Sequence, residues 1–162
     1  MYLWIVWLHV IGGFGFILAH GASAAVAFRL RRERDLDRVR ALLDLSGSTV
    51  AVLYISLLVL LVAGILAGFL GRWWGRGWIW LSLGMLLAII IWMYLTVSRS
   101  YSLVRKAVGQ PYMAGGRPQP AVEPASTEEI NLLLARGQPV LQTVVGFGGL
   151  VIILWLMMFK PF

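Results

Sequence analysis

The chain has 162 residues, 60% of them hydrophobic, and 14 lysines and arginines against seven acids give a net charge of +7 at a mean hydropathy of +0.83. Its apolar runs are too long for the core of a soluble domain of this size, which makes it an integral membrane protein. It contains no cysteine, which excludes disulfides, thiolate metal sites, iron–sulfur clusters and cysteine nucleophiles.

A helix needs about 20 apolar residues to cross the hydrocarbon core. Four stretches qualify, at about 3–28, 49–70, 78–97 and 140–159, predicting an all-α, four-helix membrane bundle in a single domain over 1–162. The first span begins without a preceding basic region, so it is expected to remain in the protein rather than act as a cleaved signal.

Span one reads "LHVIGGFGFILAH" from Leu8 and carries the chain's two histidines, His9 and His20. At 100° per residue, eleven steps return to within about 20° of the same direction after a rise of roughly 16 Å, so both imidazoles share one side of the helix. Gly12, Gly13, Phe16 and Ser23 lie on that side too, and the small residues make a shallow trough between two potential ligands. Glycines in a membrane helix also serve plain helix–helix packing. No Asp, Glu, Lys or Arg interrupts any span, which excludes a transporter built on a membrane carboxylate. A neutral imidazole at these depths is satisfied either by a neighbour such as Tyr54, Ser56, Gln142 or Thr143, or by a bound group.

Arg29, Arg31, Arg32, Arg34, Arg38 and Arg40 follow in the connection 29–48, interleaved with Glu33, Asp35 and Asp37. Leu36, Val39, Leu42 and Leu43 recur there at helical spacing, so span one should continue as a helix and bend before span two. Six arginines against three acids between Arg29 and Arg40 read as a mixed solvated face and not as a dedicated phosphate site. The short connection "GRWWGRGW" predicts an antiparallel hairpin of spans two and three. The connection 98–138 holds Arg99, Arg105, Lys106, Arg117 and Arg136. Within it, "GQPYMAGGRPQPAVEP" has four prolines and three glycines and is expected to lack regular structure. "STEEINLLLARGQP" then carries a capping box, Ser126 with Glu129, and a glycine stop, predicting a short interfacial helix over about 127–136.

The basic residues concentrate in the first and third connections, which places those in the cytoplasm and both termini outside. Trp4, Trp7, Trp73, Trp74, Trp78 and Trp80 fall at the opposite boundary as an aromatic belt, with Lys160 ending span four beside them. The expected location is the inner membrane of a bacterium. The positive charge is thus a topology signal with lipid contact, and no nucleic-acid partner is expected.

Each histidine could ligate haem b, but two histidines cannot give two bis-histidine sites, since each haem would need a second axial ligand from another helix. Met85, Met93, Met157 and Met158 offer thioethers. Met157 and Met158 fall at the depth of His9. Copper held by histidine and methionine is another reading.

"MYLWIVWLHV" and "MMFKPF" resemble the two ends of the small bacterial membrane protoporphyrinogen oxidases, which hold b-type haem in a four-helix bundle. "HGASAAVAFRLRRERDLDRVRALLDLS" and the following hairpin are similar to a family of integral membrane proteins of unknown function, allied in pattern to the membrane domain of copper-resistance D proteins. The resemblance implies that His9 corresponds to the haem-associated histidine of the first helix and that Lys160, Pro161 and Phe162 correspond to the terminal motif. Span one departs from the oxidases after His9, so what is implied is a porphyrin-compatible scaffold, not that catalysis.

The leading expectation is a haem- or tetrapyrrole-binding protein in electron transfer or porphyrin handling, not an enzyme by itself, with His9 and His20 as ligands and Gly12, Gly13 and Phe16 lining the cofactor. The alternatives are a cofactor-free accessory subunit of a larger respiratory or photosynthetic membrane complex, and copper transport.

Overall fold

The computed structural model describes residues 1–162. Helix α1 runs Tyr2–Arg32 and α2 runs Leu36–Leu70. Extended backbone at Glu33 breaks them, and Asp35 starts α2 by accepting the Arg38 N–H at 2.9 Å. A 3₁₀ turn at Trp73–Gly75 leads to α3, Gly77–Met93. A π-helical segment, Tyr94–Ser98, joins α3 to α4, Arg99–Ala107. Strands β1 (Tyr112–Ala114) and β2 (Arg117–Gln119) precede α5, Thr127–Ala135, and α6, Pro139–Phe159. Four helical stretches are long and apolar enough to cross a membrane, and the fold is an all-α membrane bundle. Their large apolar side chains point outward, as at Leu18 and Leu58, where lipid solvates them.

Small residues set how closely α1 meets α2. A Cβ at Gly12 would stand 2.7 Å from the Leu60 nitrogen and 2.9 Å from its Cα, so backbone lies on backbone at that crossing. Farther along, the Ser23 and Thr49 hydroxyls bond at 3.0 Å. Helices α3 and α6 make the second close pair, and Phe16, Leu57 and Leu86 knit the pairs together with Leu150 and Ile153.

Both termini lie at the tryptophan end. The Trp73 Nε1–H donates to the Tyr2 hydroxyl at 3.3 Å, and the Trp78 N–H to the Phe162 carbonyl at 3.4 Å. Lys160 Nζ sits 4.2 Å above the Trp73 ring, so this cation covers an indole as well as facing the boundary.

The basic end differs from expectation in two ways. The segment 109–124 is not without regular structure, because Gly115 and Gly116 take φ of 58° and 76° and close β1 onto β2, pairing Ala114 with Arg117. The third helix does not stop at residue 97 either, since the π segment carries it on to Ala107. Helix α4 joins the ends of α1 and α2 and helix α5 in the largest buried cluster of the chain: Val26, Leu30, Val39, Leu43, Val104, Ala107, Val108, Ile130 and Leu134. Arg105 donates to the Leu43 carbonyl and pairs with Asp44 at 3.5 Å, and Arg40 donates to the Val108 carbonyl at 2.9 Å. Ser126 caps α5 by accepting the Glu129 N–H, as the capping box predicts.

Candidate functional site

His9 is half-buried against α2, where its Nδ1 lies 2.8 Å from the Leu60 carbonyl oxygen. A carbonyl can only accept, so Nδ1 carries the proton of the neutral ring and the Nε2 lone pair is left over. Nε2 makes no hydrogen bond and is not among the enclosed polar atoms. The approach depends on Gly64, where a Cβ would meet His9 Cε1 and Nδ1 at 2.8 Å. Leu60 and Gly64 are four residues apart, so the carbonyl that accepts His9 is also the acceptor of the Gly64 N–H in the helix ladder. None of Tyr54, Ser56, Gln142 or Thr143 takes this role. Thr143 donates instead to the Pro139 carbonyl at 2.8 Å.

His20 occupies a different environment between α1 and α6. Its ring lies parallel to Phe16 with centroids 6.3 Å apart and tilts against Phe147 at 4.9 Å. Nε2 is enclosed without a hydrogen-bond partner and abuts the Gly146 backbone, where a Cβ would collide with it. The Met93 methyl, which ends α3, packs on the same glycine at 2.9 Å from that Cβ position. The two histidines therefore share a helix but not a site: His9 meets α2, and His20 meets α6 and the end of α3.

The trough is filled from within. Leu60 backbone covers Gly12, its Cδ1 stands 3.4 Å from a Cβ at Gly13, and Phe16 is packed with Leu57 and Leu86. A flat macrocycle lying on these three residues would have to displace α2. The fit to a tetrapyrrole thus rests on His9 Nε2 and not on Gly12, Gly13 or Phe16. Met85 and Met157 pack with Trp78, Ile79 and Leu156 at the tryptophan end, and Met158 is exposed.

Sequence reasoning missed the α2 side of this site. Leu60 and Gly64 sit in "LVLLVAGIL", where nothing marks one carbonyl as a second acceptor. A glycine one turn after that carbonyl is the trace it leaves. Comparison with family models, curated proteins and solved structures returns no match.

Proposed function

We propose that the protein binds haem b or a related tetrapyrrole in the membrane through His9 Nε2 and serves electron transfer or porphyrin handling. One observation carries this reading: His9 donates its other ring N–H to a backbone carbonyl, the arrangement that fixes tautomer and ring orientation in metal-ligating histidines. The group would supply the redox chemistry. The chain holds the ligand nitrogen, and Gly64 keeps the ring where its lone pair is free. Such a group would be held by His9 Nε2, which is neither hydrogen-bonded nor enclosed. The termini are assigned to the outside and the basic end to the cytoplasm of a bacterial inner membrane, on the support of the arginine distribution and the tryptophan belt.

The test is a reduced-minus-oxidised absorption spectrum of the detergent-purified protein with pyridine haemochrome quantification. Sharp b-type bands that vanish in His9→Ala and persist in His20→Ala are expected. A flat spectrum, or bands indifferent to His9→Ala, overturns it.

A second reading is a cofactor-free accessory subunit of a larger respiratory or photosynthetic membrane complex. The observation in its favour is that α2 fills the glycine trough of α1, so these glycines already have a packing role. This reading predicts copurification with larger subunits in fixed ratio under mild detergent, and migration as a lone species would remove it.

A further inference from the structure

The acids of the basic end are not spread evenly among its arginines. Glu33 pairs with Arg29 at 3.5 Å, Asp37 with Arg40 at 3.3 Å, and Asp44 with Arg105 at 3.5 Å while also accepting from the Gln110 amide. Arg31 and Arg32 have no carboxylate partner. They line a cleft of about 420 Å³ between the end of α1 and the start of α6, together with Arg34, Phe28, Pro139 and Val140. No acid lines it. Arg34 is held in place by two backbone acceptors, donating from one guanidinium nitrogen to the carbonyls of Glu33 at 2.7 Å and Arg31 at 3.1 Å.

We infer that this cleft is a binding site for one anionic phospholipid, with the phosphoryl group on Arg31, Arg32 and Arg34 and the glycerol and upper acyl chain along Phe28 and Val140. Three guanidiniums with unspent donors are a ready recognition surface for phosphate oxygens. The lipid is favoured over free phosphate because the other half of the lining is apolar and exposed, Phe28 at 39% and Val140 at 59%, at the level where the apolar runs of α1 and α6 end. Free phosphate leaves those walls uncovered, whereas a lipid has both a charged head and a chain to lay on them. The mixed-face reading of the arginines is thus narrowed: Glu33, Asp37 and Asp44 lie on Arg29, Arg40 and Arg105, and no acid lines the notch of Arg31, Arg32 and Arg34. This inference does not depend on any cofactor at His9.

The experiment is native mass spectrometry of the purified full chain exposed to equimolar phosphatidylglycerol and phosphatidylcholine of matched chains. The wild type should retain one phosphatidylglycerol in preference to phosphatidylcholine. Arg31→Gln with Arg32→Gln should lose that preference by roughly thirty-fold. Arg99→Gln with Arg117→Gln, which removes equal charge elsewhere, should keep it. Val140→Trp leaves every charge in place and fills the apolar wall, and it too should lose the lipid, which covers the case that the double arginine variant does not fold. Equal retention of the two lipids by the wild type overturns the site, as does retention in both cleft variants. Complete displacement by millimolar inorganic phosphate overturns the lipid assignment in favour of free phosphate.

Discussion

The ring of His9 occupies the space that a side chain at residue 64 would take, and from there its Nδ1 reaches the Leu60 carbonyl oxygen at 2.8 Å. Helix α2 therefore supplies both the clearance and the acceptor, one turn apart, and α1 supplies the imidazole. The pair of features belongs to a hairpin whose helices are already in backbone contact at Gly12, so the ring has little freedom to turn.

Gly64→Ala should push the imidazole off the carbonyl. The new methyl would sit 2.8 Å from two ring atoms, and overpacking of this kind costs about 1–3 kcal/mol. Equilibrium unfolding in mixed micelles measures it. Gly148→Ala is the control, because a Cβ there meets nothing within 4 Å, and it should change stability by less than about 0.5 kcal/mol. Equal behaviour of the two variants would mean that His9 does not fill the Gly64 space.

His9→Leu separates ligand from packing. The Leu60 carbonyl keeps its helix-ladder bond when the imidazole is gone, so no acceptor is orphaned, and a polar contact between membrane helices averages about 0.6 kcal/mol. Stability should fall by roughly that much while any haem absorbance disappears. A loss of several kcal/mol in the apoprotein would instead make His9 a structural residue.

The basic end should carry more stability than its size suggests. Leu43 and Val108 are fully buried and Val39 nearly so, in a cluster whose members, Val26 apart, lie outside the apolar spans, where apolar burial has its full driving force. Leu43→Ala is expected to cost about 2–5 kcal/mol, whereas Leu18→Ala, at a position 72% exposed toward lipid, should cost little. Matched unfolding curves for the two variants would contradict this distribution.

The four spans were legible because hydrocarbon demands long uncharged runs, and the α5 start was legible because Ser126 and Glu129 form a local signal. What sequence could not reveal was assembled at long range. Val26, Val39, Val104 and Ile130 come from four different helices, and each alone reads as one apolar residue on a mixed face. The β-hairpin was hidden by its prolines, although Pro118 sits in a two-stranded sheet that is all edge, where its missing N–H is tolerated. At the candidate site the shared face of His9 and His20 was readable from helical periodicity. Their separate partners were not, because α2 presents the Leu60 carbonyl beside His9 while α6 packs Gly146 and Phe147 against His20.

The turn between α1 and α2 should respond to acid through Glu33. Its carboxylate accepts the Arg34 N–H at 3.1 Å and the Asp35 N–H at 3.3 Å, with the Arg29 guanidinium at 3.5 Å. These backbone donors first, and then the charges of Arg29 and Arg38, hold its carboxyl below the ordinary glutamate value of 4.5. A folded value lowered in this way means that the ionised carboxylate stabilises the fold. The contribution is complete above the unfolded value and fades as pH falls through the lower folded one. Glu33→Gln should therefore melt below the wild type at neutral pH, and the gap should close as both are acidified from about pH 7 to about pH 3. A gap that stays constant over that range would mean the side chain acts through shape and neutral hydrogen bonding, since only the ionised form can lose its advantage on protonation.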